Sequence, residues 1–168
     1  MTDAVITSVV KAECGRSIYN ASSCSELSSS ASDRIVGGAV SRPHAHPWLA
    51  FLQICDADEC VMCGGTLINR RWVVTAGHCA SGSEEILVSL GDHDLTAPGR
   101  VGLEVSAVHR HPGYDEAFVM NDVALVRLAK PVVFSDSVRP ACLPDDDGER
   151  YEGRRAVVAG WGSTSFSN

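Results

Sequence analysis

The chain has 168 residues, 45% of them hydrophobic and 21% charged, an ordinary globular mix long enough for one sizeable core or two small ones. Its net charge of −7 at neutral pH speaks against nonspecific nucleic-acid binding, and no apolar run reaches the length needed to span a membrane. Seven cysteines point to an oxidising compartment and hence to a secreted, extracellular protein, and Cys60-Val61-Met62-Cys63 lacks the second ligand pair of a zinc finger.

Residues 1–34 read as a pro-segment and linker. Met1 to Val10 makes a poor signal peptide, because Asp3 stands where a positive residue is expected and Thr7-Ser8 breaks the apolar run. The cysteines argue for export, so the expectation is an incomplete amino terminus. Asn20-Ala21-Ser22 is a glycosylation sequon, and the serine-rich stretch that follows leaves Arg34 open to a protease. After Arg34 the composition changes sharply, and the apolar pair Ile35-Val36 precedes two glycines. His44-Ala45-His46 has chelating spacing but lies between Pro43 and Pro47, which favours a loop over a metal site.

A strand is expected from Trp48 to Ile54, a return strand over Cys63 to Ile68, and a third from Trp72 to Ala76. The acidic turn between the first two has Cys55 and Cys60 on its flanks, where a bridge would close a small loop. The third strand, rich in β-branched residues, ends at a small-residue turn carrying His78 beside Cys79. A neutral imidazole there can take a proton from a hydroxyl and return it later, provided that a carboxylate fixes its tautomer. Further strands are expected over Ile86 to Leu90 and Leu103 to His109. The loop between them holds Asp92 and Asp94 but too few oxygens, before Glu104, for a calcium ion that wants about six to eight. Asp122 leads an alternating strand, Val123 to Leu128, and supplies the candidate carboxylate. Pro131 to Pro144 reads as a connection, Asp145-Asp146-Asp147 as solvated surface, and Ala156 to Trp161 as the start of another strand.

Five pieces, in order, resemble the trypsin/chymotrypsin family of serine proteases: Arg34-Ile35-Val36-Gly37-Gly38, Cys63-Gly64-Gly65-Thr66-Leu67-Ile68, Thr75-Ala76-Gly77-His78-Cys79, Asn121-Asp122-Val123-Ala124-Leu125 and Gly160-Trp161-Gly162. The family more often has Ala at the position of Gly77. The resemblance implies an all-β fold, a trypsin-like Greek-key double β-barrel. The first barrel would span about 35–135 and the start of a second about 150–168, within a protease domain over 35–168. It implies His78 as general base, Asp122 as its orienting partner, and cleavage between Arg34 and Ile35 by an activating trypsin-like protease. It also implies a Cys63–Cys79 bridge clamping the histidine turn and a Cys14–Cys142 bridge tethering the pro-segment, which leaves Cys24 as the odd thiol. No metal or other cofactor is implied. Partners would be protein or peptide substrates, the activating protease and a protein inhibitor.

The family keeps its nucleophile in a Gly-Asp-Ser-Gly-Gly sequence, which does not occur in these residues. The expectation is therefore an inactive amino-terminal portion of a secreted endopeptidase zymogen. A catalytically inactive homologue acting as a binding or adaptor module is the alternative. A natural half-protease ranks behind both, since an open second barrel would leave strand edges and apolar surface exposed.

Overall fold

The computed structural model describes residues 13–19, 38–80, 85–145, 148 and 150–162. The fold is all-β. Strands β1 (Leu49–Cys55), β2 (Cys60–Leu67), β3 (Trp72–Thr75), β4 (Glu85–Leu90), β5 (Leu103–Arg110) and β6 (Ala124–Leu128) close into a barrel in the order β1-β2-β3-β6-β5-β4, every pair antiparallel. The first three strands follow one another as a meander. β4 then crosses back to β1, β5 pairs with β4, and β6 closes the barrel between β5 and β3. Closure removes the free edges that an open sheet of this length would expose.

The period-two pattern of the sequence decides which side chains point inward. Ala50, Leu52 and Ile54 of β1, Ile86 and Val88 of β4, and Ala124, Val126 and Leu128 of β6 are buried, joined by Leu67 and Val73. Phe51 points outward yet is buried, because the Arg100 guanidinium lies 4.6 Å over its ring and Trp161 meets it edge-on at 6.0 Å. A shift of register between Val105 and Ala107 bends β5, and the Ser106 hydroxyl at the bulge donates to the carbonyls of Arg127 and Leu128.

Short side chains close the turns. Asp56 Oδ1 accepts the amides of Asp58 and Glu59 at the β1–β2 tip, where Cys55 and Cys60 face each other and are bonded. Asn69 Oδ1 does the same for Arg71 and Trp72 before β3. Gly65 is required for a packing reason: a Cβ there would lie 2.8 Å from Val73 Cγ1, 2.9 Å from Leu52 Cδ1 and 3.0 Å from the Val74 carbonyl. Gly65→Ala should therefore cost about 1–3 kcal/mol through overpacking, read as a lower urea midpoint at unchanged slope. An unchanged midpoint would contradict this packing.

Beyond β6 the chain straps back across the barrel. The amides of Arg139 and Ala141 donate to the carbonyls of Pro47 and Leu67, and Pro47 and Pro140 are fully buried. The segment 13–19 docks on this strap. Gly15 N donates to Pro140 O, Cys14 is bonded to Cys142 across 128 residues of sequence, and Arg42 covers the Tyr19 ring at 5.3 Å.

One expected element is not formed. Residues 156–161 are irregular rather than a strand, and Val157 and Val158 are 72% and 79% exposed. An apolar run supplies side chains for a sheet but not the hydrogen-bonding neighbour, and no described strand lies alongside. Gly160 and Trp161 are instead held against the barrel, with Trp161 Nε1 donating to the His93 carbonyl at 3.1 Å.

Candidate active site

The site forms where β3 and β6 run out side by side. Their pairing sets Thr75 opposite Ala124, so the residues just after β3 and just before β6 meet although far apart in sequence. After β3 the chain enters a one-turn 3₁₀ segment, His78–Ala80. That turn is fixed from two sides: Thr75 Oγ1 donates to the Gly64 carbonyl at 2.8 Å, and the Cys63–Cys79 disulfide bonds it to β2. Before β6, Asn121 adopts a left-handed φ of 53° and its Nδ2 donates to the Gly113 carbonyl. Asparagine tolerates this conformation better than most residues, and the bend it makes aims Asp122 at the turn.

Asp122 grips His78 with both oxygens. Oδ1 accepts the His78 backbone amide at 2.7 Å, and Oδ2 lies 2.8 Å from His78 Nδ1. An ionised carboxylate only accepts, so Nδ1 carries the ring proton and Nε2 presents a free lone pair. The imidazole is 60% exposed and the carboxylate 21%: the ring faces solvent while the carboxylate is sheltered behind it. The hydrogen bond from the His78 ring, then that from the His78 amide, hold the Asp122 carboxyl below its usual pKa, with a smaller contribution from the Gly77 amide.

This shift has a stability consequence. A carboxylate whose folded pKa is depressed contributes stability that is complete above its unfolded value, about 3.9, and lost as pH falls through the folded value. Asp122→Asn should therefore destabilise the chain at neutral pH, and the difference from the parent should shrink as the pH drops below about 4. Urea midpoints across that range read the effect, and a gap that stayed constant would contradict an ionised, hydrogen-bonded Asp122.

Nothing in the sequence singles out Tyr114. A Cβ at Gly77 would lie 3.0 Å from Tyr114 Cδ2 and 3.1 Å from Asp122 Oδ1. The tyrosine ring thus packs against the glycine of the histidine turn, with the Arg110 guanidinium 5.2 Å over it. The signal available was the glycine itself, at a position where Ala is commoner, but nothing in the spacing names the ring that fills the gap.

The other candidates fall elsewhere. His44 and His46 line a cavity of about 380 Å³ with Asp92, His93 and Asp94. His46 meets Trp48 edge-on, and burial lowers its pKa. No three of these side chains converge as metal ligands among the described residues. Asp92 pairs with Arg100 at 3.7 Å, while Asp94 Oδ1 accepts from the Thr96 amide and hydroxyl. Arg34, Ile35, Asn20 and Cys24 lie outside the described residues.

A closed antiparallel barrel with an imidazole–carboxylate pair at its rim is the architecture of the first half of a trypsin-like serine protease. The chain belongs to the trypsin family, whose model matches residues 35–168. Among curated relatives it is 38% identical over 138 residues to vitamin K-dependent protein C of Mus musculus, covering 79% of this chain and 29% of that protein. It is 40% identical over 134 residues to trypsin 5G1 of Aedes aegypti, covering 79% and 49%. The Drosophila Grass clip serine protease of the Toll pathway superposes with a TM-score of 0.63 at 26% identity, covering 84% of this chain and 41% of that one. The chain thus spans half or less of the length of these relatives.

Proposed function

We propose that these residues are the base-bearing half of a secreted serine endopeptidase, made as a zymogen and activated by a trypsin-like protease that cuts between Arg34 and Ile35. The observation that carries the reading is the double grip of Asp122 on His78 at 2.7 and 2.8 Å, which leaves Nε2 free to accept a proton. In the reaction Nε2 takes the proton of a serine hydroxyl as it attacks the peptide carbonyl. Asp122 stabilises the imidazolium so formed, and the imidazolium then protonates the leaving amine. The division of labour is that of the trypsin-type triad, the worked case for this mechanism; what this chain supplies is the pair and its clamp.

The serine and the oxyanion donors would come from sequence following Asn168, as would the pocket that selects the substrate side chain. Cleavage after Arg34 would free the Ile35 amine to pair with a carboxylate beside that serine. The segment around Cys14 would stay attached through Cys142. The three disulfides suit an extracellular setting, and the partners follow from the reading: protein or peptide substrates, the activating protease and a protein inhibitor.

The test compares the 168-residue chain with a form extended through its natural downstream sequence, both cleaved after Arg34 and assayed on peptide substrates. The short form should give no turnover, because a base without a nucleophile accelerates nothing and triad members act as a unit. The extended form should hydrolyse peptides. A folded, cleaved, extended protein without turnover would instead indicate an inactive homologue acting as a binding module.

A further inference from the structure

The space beside Gly77 is bordered by a ring and a carboxylate together. A Cβ at that glycine would lie 3.0 Å from Tyr114 Cδ2, 3.1 Å from Asp122 Oδ1 and 3.2 Å from the Val123 amide nitrogen. All three are closer than ordinary van der Waals contact, so the ring stands where a methyl at position 77 would otherwise fit. It stands there beside the oxygen that accepts the His78 amide at 2.7 Å. Backbone holds the ring in that place. Tyr114 closes a turn, its amide donating to the His111 carbonyl at 3.0 Å. Two bonds tie this turn to the residues flanking Asp122. The His111 amide donates to the Val123 carbonyl at 2.9 Å, and Asn121 Nδ2 donates to the Gly113 carbonyl at 2.8 Å. The Arg110 guanidinium covers the ring at 5.2 Å. One unit of backbone therefore carries both the carboxylate and the ring beside it.

Water is the natural competitor for such an oxygen. An ionised carboxylate has lone pairs to spare, and Asp122 already accepts from the His78 ring, the His78 amide and the Gly77 amide. A water admitted at Gly77 would bond to Oδ1, weaken its hold on those amides and let the carboxylate turn away from the imidazole. A group that orients a base is only as well placed as the packing behind it. We infer that Tyr114 is a positioning residue for the reaction: its ring closes the space between Gly77 and Asp122 Oδ1, excludes water from that oxygen and so keeps the carboxylate aimed at His78. The inference rests on the protease reading for its catalytic consequence, but the water exclusion itself needs no serine.

The test is amide hydrogen exchange on the 168-residue chain, read by NMR at His78. The Leu128 amide, bonded to the Arg71 carbonyl at 2.8 Å inside the barrel, serves as the internal reference. Tyr114→Ala should speed exchange at His78 by about tenfold or more, while Leu128 changes far less, because the opening is local. Tyr114→Phe keeps the ring and should match the parent. Gly77→Ala/Tyr114→Ala should recover part of the protection, since the added carbon would cover Oδ1. In the extended, cleaved protein, Tyr114→Ala should lower kcat about 10- to 100-fold, the scale of a misplacement of about 1 Å, and Tyr114→Phe should restore it. Exchange that rises equally at His78 and Leu128 would make Tyr114 a merely structural residue and overturn the inference. Equal effects of Tyr114→Ala and Tyr114→Phe would also overturn it, as would no recovery in the double variant. An extended parent without turnover would refute the protease reading instead, and the exchange rates would still decide whether the ring guards Asp122.

Discussion

His78→Ala in the extended, activated protein should lower kcat by roughly 10⁶, the scale seen when a triad histidine is removed. KM should change little, because the imidazole handles a proton rather than the substrate side chain. The size follows from the role. Without Nε2, the attacking hydroxyl keeps its proton and the leaving amine departs unprotonated, so both halves of the reaction lose their proton carrier. Ala also removes the ring without unsettling the fold, since the imidazole is 60% exposed and the turn is anchored by the Cys63–Cys79 bond and by the His78 amide on Asp122. Unfolding midpoints should therefore move far less than activity does. Kinetics with a peptide substrate, alongside urea melts, separate the two. An activity loss matched by a collapse of stability would assign His78 a structural role.

Asp122→Asn should lower kcat by about 10⁴, a figure carried over from the same substitution in the trypsin-type triad. The geometry here says why a change of one atom does so much. The His78 backbone amide needs an acceptor, and Asp122 Oδ1 provides it at 2.7 Å. In the variant that hydrogen bond holds the amide oxygen in place, which turns the NH2 group toward His78 Nδ1. Two donors cannot face each other, so Nδ1 must become the acceptor and the ring proton moves to Nε2. The base is then protonated where it should be empty. Nitrogen NMR of the imidazole should show Nδ1–H in the parent and Nε2–H in the variant, a readout that a loosened loop would not reproduce. A variant with unchanged tautomer and full activity would refute the account of the double grip.

Much of the barrel was legible because its signals are local. The apolar run Trp48 to Ile54 and the alternation of Val123 to Leu128 place β1 and β6 within a residue of their observed bounds, whereas β2 begins three residues before its expected start at Cys63. The His78–Asp122 juxtaposition was legible only through resemblance. Its physical cause is the β3–β6 pairing, a long-range choice that neither strand announces. The same limit explains the error at Ala156–Trp161: Val157 and Val158 have strand character, but a strand exists only beside a partner. Tyr114 and Arg100 escaped notice for a related reason. Each acts through a ring or guanidinium stacked on a distant residue, and such pairs leave no mark in sequence spacing. The Cys55–Cys60 pairing, by contrast, could be read from the hairpin alone, since two cysteines flanking a tight turn have little choice of partner.

The proposed role of His78 and Asp122 is to serve a serine. Its most direct test is titration of the extended, Arg34-cleaved protein with a fluorophosphonate, which bonds only to an activated serine hydroxyl. The expected result is one label per molecule, no label on the 168-residue chain, and labelling slowed by orders of magnitude in His78→Ala. A fully folded, cleaved protein that takes no label, or a His78→Ala variant labelled as fast as its parent, would contradict it.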